Sequence, residues 1–83
     1  MNVLYFAWVR QKVGRAEETV EHTPALRTVG DLAAMLRARG GGYGEAFADM
    51  GRMRAAVNQV HVGLDAVLSA GDEVAFFPPV TGG

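Results

Sequence analysis

The sequence predicts an α+β domain, a mixed sheet of about four to five strands with one main helix packed on one face. Three observations lead there. An aromatic and β-branched run opens the chain ("VLYFAWV", 3–9), a capped amphipathic helix begins at Thr28, and a second aromatic strand, Glu73–Phe77, lies near the end. At 83 residues the chain is one domain. A domain of this size buries only about 60–65% of its unfolded surface, so nearly every apolar run must enter the core.

The opening run is apolar on both alternating sets. Val3, Tyr5, Ala7 and Val9 form one face, and Leu4, Phe6 and Trp8 the other. A strand apolar on both faces is covered on both, and in so small a chain the second cover is another protein. "RQKVGRAE" supplies a turn around Gly14, and "EETVEH" is a short polar edge strand, completing a hairpin that Pro24 ends. Thr28 and Asp31 have capping-box spacing. Val29, Leu32, Ala33 and Leu36 then recur on one helical face, Arg37 and Arg39 suit the C-terminal end of the dipole, and Gly40 stops the helix. "GGGYG" (40–44) lacks the lysine of a phosphate loop and follows a helix instead of preceding one, so it reads as a flexible connection. "EAFADM" allows a single helical turn. "RAAVNQVHV" is a third strand region with a turn at Asn58–Gln59, and further turn signals fall near Gly63–Asp65 and Ser69–Asp72. After Phe77, Pro78 and Pro79 cannot donate to a ladder.

A first hairpin, one helix across a mixed sheet and returning strands make the β-grasp, the ubiquitin-like arrangement. The domain spans 1–77 and an extended tail spans 78–83. One helix covers one sheet face. Leu4, Phe6, Trp8, Ala75 and Phe77 are left as an apolar patch of the kind that marks an interface.

Composition narrows the function classes. Net charge is −1 with no basic stripe, which argues against nucleic acid as a partner. No apolar run approaches the roughly 18–20 residues that cross a bilayer, and the opening lacks a basic n-region and a small-residue cleavage site. The expectation is a cytoplasmic chain with no membrane partner. There is no cysteine, and the two histidines, His22 and His61, are far apart. No metal-ligand spacing occurs, so no metal site and no cofactor bound by this chain are expected. Asp31 is engaged in capping, Asp65 and Asp72 sit in turns, and His61 reads as a strand surface residue. A conventional active site is not expected.

The unusual group is the carboxylate of Gly83. Pro78 and Pro79 favour the extended polyproline form, and Val80 and Thr81 continue it. Gly82 and Gly83 have no Cβ and can enter a narrow channel. A partner's active site could reach that carboxylate, activate it by adenylation, and pass the acyl group to a nucleophile such as sulfur.

"LYFAWVR", "TVGDLAAML", "AAVNQ" and "GDEVAFFPPVTGG" together resemble, in order and over essentially the full length, the small-subunit family of molybdopterin synthase, the sulfur carriers of molybdenum cofactor biosynthesis. The resemblance implies that Gly83 is adenylated by an E1-like enzyme using MgATP and converted to a thiocarboxylate. It implies a large catalytic subunit as partner, in a heterotetramer with two of each. Pro78, Pro79, Val80, Thr81 and Gly82 would thread into that subunit, where Gly83 donates sulfur to cyclic pyranopterin monophosphate. Phe6, Trp8, His61, Ala75 and Phe77 would form the partner interface. His61 stands where the family more often has an apolar residue. On this reading the chain is a non-catalytic carrier subunit of a sulfurtransferase. Two alternatives remain: a sulfur carrier for thiamin thiazole or another sulfur pathway, and a ubiquitin-like modifier joined to target lysines.

Overall fold

The computed structural model describes residues 1–79. Strand β1 (Asn2–Tyr5) leads into helix α1 (Ala7–Val13), followed by β2 (Glu17–Thr19), α2 (Val29–Ala38) and α3 (Gly41–Ala46). A 3-10 turn (Met50–Arg52), β3 (Arg54–Val57), β4 (Val60–Val62) and β5 (Glu73–Phe77) complete the described chain. The sheet order is β2-β1-β5-β3-β4. β5 pairs parallel to β1 and antiparallel to β3, while β2 and β4 are antiparallel edges. This is the mixed β-grasp sheet, with α2 as its main helix.

Period-two alternation assigns the two faces. Val3, Tyr5, Val74, Phe76 and Ala55 point to the core side, where they meet Val9 of α1, Val29, Leu32, Ala33 and Leu36 of α2, and Phe47 after α3. Phe47 and Phe76 meet edge to face, centroids 5.0 Å apart. α2 forms where the sequence places it. Thr28 Oγ1 accepts from the Asp31 amide at 3.2 Å and the Asp31 carboxylate accepts from the Thr28 amide at 3.0 Å. Such a cap contributes about 1 kcal/mol, and burial of each core leucine contributes about 2–5 kcal/mol against alanine.

Two expectations are corrected. The run 3–9 is not one strand. The Phe6 amide still bonds to Phe76 O at 3.1 Å, but Ala7 takes a left-handed φ of 53° and the chain turns into α1. The strand's partner β2 is therefore reached through a helix instead of a hairpin turn. Gly14, expected in that turn, is the left-handed C-terminal stop of α1, φ 88°, and its amide bonds to Arg10 O. Second, the glycine-rich stretch is helical instead of a flexible connection. α3 lies so close to the end of α1 that a Cβ at Gly42 would sit 1.8 Å from the Lys12 carbonyl oxygen. Close packing here overrides the low helix propensity of glycine.

The helical layer is tied to the sheet edge through Glu18, whose side chain is 8% exposed. Its carboxylate accepts from Tyr5 Oη at 2.8 Å, from Tyr43 Oη, and from Arg39 Nη1 at 2.7 Å, with Arg15 at 3.9 Å. Desolvation alone pushes the Glu18 carboxyl up, but hydrogen bonds from Arg39, Tyr43 and Tyr5 together outweigh it and hold the group below its ordinary value. Burial and then the Glu18 contact push both tyrosine hydroxyls up, so they remain donors. One carboxylate thus joins β1, β2, α3 and the end of α2.

A lowered carboxyl contributes stability that is complete above its ordinary value of 4.5 and is lost as pH falls through the folded value. Glu18→Gln is expected to be less stable at neutral pH by about 1–3 kcal/mol and to lose less stability below pH 4.5. Urea unfolding across pH checks this, and parallel pH profiles would contradict the role given to Glu18. Gly42→Ala is expected to lower stability by about 1–3 kcal/mol or more through overpacking against backbone. An unchanged midpoint would mean that α1 and α3 do not pack this closely.

Candidate functional site: an apolar sheet face at the root of the tail

The face of the sheet turned away from the helices carries the second alternating set. The ladder places Leu4 opposite Ala75, Ala75 opposite Ala56, and Ala56 opposite His61, one row across four strands. The two alanines leave the middle of that row low. A shallow hollow of about 310 Å³ results, lined by Leu4, Phe6, Ala56, Gln59, Glu73 and Ala75. Phe77 is one pleat further along β5, opposite Arg54, and its ring meets that of His61 at 5.2 Å, tilted 52°. Phe6 stands at the rim, 49% exposed.

A two-residue turn sets the position of His61. Asn58 and Gln59 have left-handed φ of 51° and 69°, which matches the right-handed twist of a hairpin. Asn58 is fastened to the start of β5: its side chain donates to Asp72 at 2.9 Å and accepts from the Glu73 amide at 3.0 Å. Asp72 also accepts from the Ser69 amide at 2.7 Å, and this contact followed by that of Asn58 holds its carboxyl below the ordinary range. The turn of β3–β4 and the entry of β5 are thus one unit.

Of the expected interface residues, Phe6, His61, Ala75 and Phe77 share this face. Trp8 does not, which is a correction. It lies on α1, packs against the core cluster, and has the Arg52 guanidinium 5.9 Å from its ring centroid. It leaves the face because the chain turns at Ala7 and strand alternation stops there. Ala56 and Arg54 belong to the face and were not expected. Two adjacent alanines give no alternation signal, and only the register of β3 on β5 reveals which one faces out. Pro78 and Pro79 follow Phe77 directly and are half-buried. Val80, Thr81, Gly82 and Gly83, the expected end of the threading segment, lie outside the described residues.

This surface is an exposed apolar face, the kind that suits contact with another surface. It offers aromatic edges, a small hollow and rim charges from Glu73 and Arg54. No group of three or more His, Cys, Asp or Glu side chains that could hold a metal ion occurs among the described residues. No helix among them is long and apolar enough to cross a membrane.

Known proteins resemble this chain in sequence and fold. The chain is 45% identical over 83 residues to the molybdopterin synthase sulfur carrier subunit of Escherichia coli, covering 100% of this chain and 99% of that one. It is 36% identical to the protein of the same description in Mycobacterium tuberculosis, covering 100% and 96%. Among solved structures, molybdopterin converting factor subunit 1 from Pyrococcus furiosus superposes with a TM-score of 0.76 at 35% identity, over 95% of each chain. SAMP1 from Haloferax volcanii gives 0.72 at 28% identity, over 100% of this chain and 98% of that one. The family model of the ThiS family matches residues 3–83, nearly the whole sequence, and with these relatives in agreement the chain belongs to the ThiS family.

Proposed function

We propose that this chain is the sulfur carrier subunit of a molybdopterin synthase, and that Gly83 carries the sulfur. Full-length similarity to relatives described as molybdopterin synthase sulfur carrier subunits carries the reading. The apolar face that ends at the root of the proline pair supports it. In this account the Gly83 carboxylate attacks the α-phosphate of MgATP in an E1-like adenylating partner and diphosphate leaves. A sulfur nucleophile then displaces AMP and leaves a thiocarboxylate.

The face of Phe6, Ala75, Phe77 and His61 docks on the large catalytic subunit, in a heterotetramer with two of each. The segment Pro78 to Gly82 enters that subunit's active site. There the thiocarboxylate sulfur bonds to cyclic pyranopterin monophosphate, water then cleaves the acyl–sulfur bond, and Gly83 returns as a carboxylate; two such transfers build the dithiolene. The small chain supplies position and a reagent, the large subunit the catalytic groups, and the cytoplasm is where the cycle runs.

The two parts of the site are separable by mutation. Removing Gly82 and Gly83 is expected to abolish sulfur transfer while binding to the large subunit is only partly weakened. Phe77→Ala and Phe6→Asp are expected to weaken that binding roughly ten- to a hundredfold, the equivalent of losing about 1.5–3 kcal/mol of aromatic burial. Phe6→Asp is the sharper variant. Phe6 is the N-cap of α1 with extended backbone and no side-chain cap, and aspartate is a favoured residue there. Calorimetric titration with the large subunit, beside thermal unfolding, checks both. Unchanged affinity with an intact fold would remove this face as the docking surface.

A further inference from the structure

The face assigned to docking is apolar along its middle but not at its Phe77 end. The ladder sets Arg54 of β3 directly opposite Phe77. His61 of β4 is opposite Ala56, and that alanine is low enough for the Phe77 ring to reach over β3, to 5.2 Å from the imidazole. Phe77 is therefore flanked by two nitrogen-bearing side chains, both exposed. They are diagonal neighbours on the β3–β4 pair, about 7–8 Å apart at the backbone. The Arg54 guanidinium is held from one side, where Nη1 donates to Gly51 O at 3.2 Å and to Met53 O at 3.0 Å. Among the described residues neither Arg54 nor His61 forms an ion pair, and Nη2 and Nε of Arg54 meet no acceptor. The negative rim charge lies at the other end, because Glu73 begins the strand that Phe77 ends.

Docking withdraws both side chains from water. Against a purely apolar counterpart each would lose its hydrogen bonds to water with nothing in return, and the guanidinium would become a buried charge without a partner. A carboxylate answers both. It can take the Nε–Nη2 edge of Arg54 as a two-pronged pair, while the imidazole offers an N–H from the other side. We propose that Arg54 and His61 select the partner, and that the large subunit presents an acidic side chain, Asp or Glu, to them against the Phe77 ring. This rests on the reading of the face as the docking surface for that subunit. An acid is drawn to the Arg54 end and repelled at the Glu73 end, so the two rim charges give the contact a direction and fix its register. A large subunit with an apolar residue at that place is rejected, because it leaves the guanidinium unpaired.

Leucine variants test this sharply, because an acidic and an apolar counterpart give effects of opposite sign. The full chain is titrated calorimetrically with the large subunit of the same organism, beside thermal unfolding of each variant. Arg54→Leu is expected to weaken binding about ten- to a hundredfold. His61→Leu is expected to weaken it about three- to tenfold. Arg54→Lys keeps the charge and disturbs the fold least, but it loses the two-pronged edge and is expected to fall between the wild-type chain and Arg54→Leu. A leucine variant that folds and binds as tightly as the wild-type chain, or more tightly, would overturn the proposal, since an apolar counterpart gains from leucine. Unchanged affinity in Arg54→Lys would overturn it too, and that variant decides the matter if Arg54→Leu fails to fold. No binding of the wild-type chain to the large subunit would instead overturn the carrier reading itself, a result distinct from binding that leucine strengthens.

Discussion

The structure depends on the insertion of β5 between β1 and β3. A strand from the far end of the chain occupies the middle of the sheet, parallel to one neighbour and antiparallel to the other. Both of its edges are hydrogen-bonded, and Val74 and Phe76 are fully buried on the helix side. Pro78 and Pro79 therefore follow a strand that is paired on both sides. Pro78 ends the ladder where β5 stops, because it has no amide hydrogen to give.

The same insertion decides which surface is free. Helices α1, α2 and α3 contribute to a single core cluster on one side of the sheet, and Glu18 joins that layer to the edge strand through Tyr5, Tyr43 and Arg39. With the helices committed there, the outward set of β1, β3, β4 and β5 has no cover from the described residues. Ala56 and Ala75 keep its middle low, and Phe6, Phe77 and His61 raise its border. The hollow of about 310 Å³ is open to an outside side chain, and Phe77 on its border directly precedes Pro78.

Legibility in the sequence followed the range of the forces involved. The capped helix α2 was readable because its box and its apolar stripe are local. β5 was readable because an aromatic alternation ends at two prolines. The outward placement of Phe6, Ala75 and Phe77 followed from period two, whereas that of His61 came from the family resemblance. α1 was not readable as a helix, since seven apolar residues in a row fit either period; Arg10 and Lys12 in a last turn before Gly14 were the available signal. α3 was hidden for another reason. Four glycines within residues 40–44 argue against a helix at about 1 kcal/mol each, and only the approach of Gly42 to the Lys12 carbonyl explains why one forms. Trp8 was misplaced as a consequence of the turn at Ala7, and Ala56 emerged only from the pairing register.

Sulfur on the terminal glycine is the claim on which the functional account stands, and intact mass measures it most directly. The protein would be incubated with MgATP, its adenylating enzyme and a sulfide source, and the product mapped by peptide fragmentation. The account predicts a mass gain equal to the replacement of one oxygen by one sulfur, confined to Gly83 and absent without ATP. An unchanged mass, with an enzyme shown to be active on a known carrier, would contradict it.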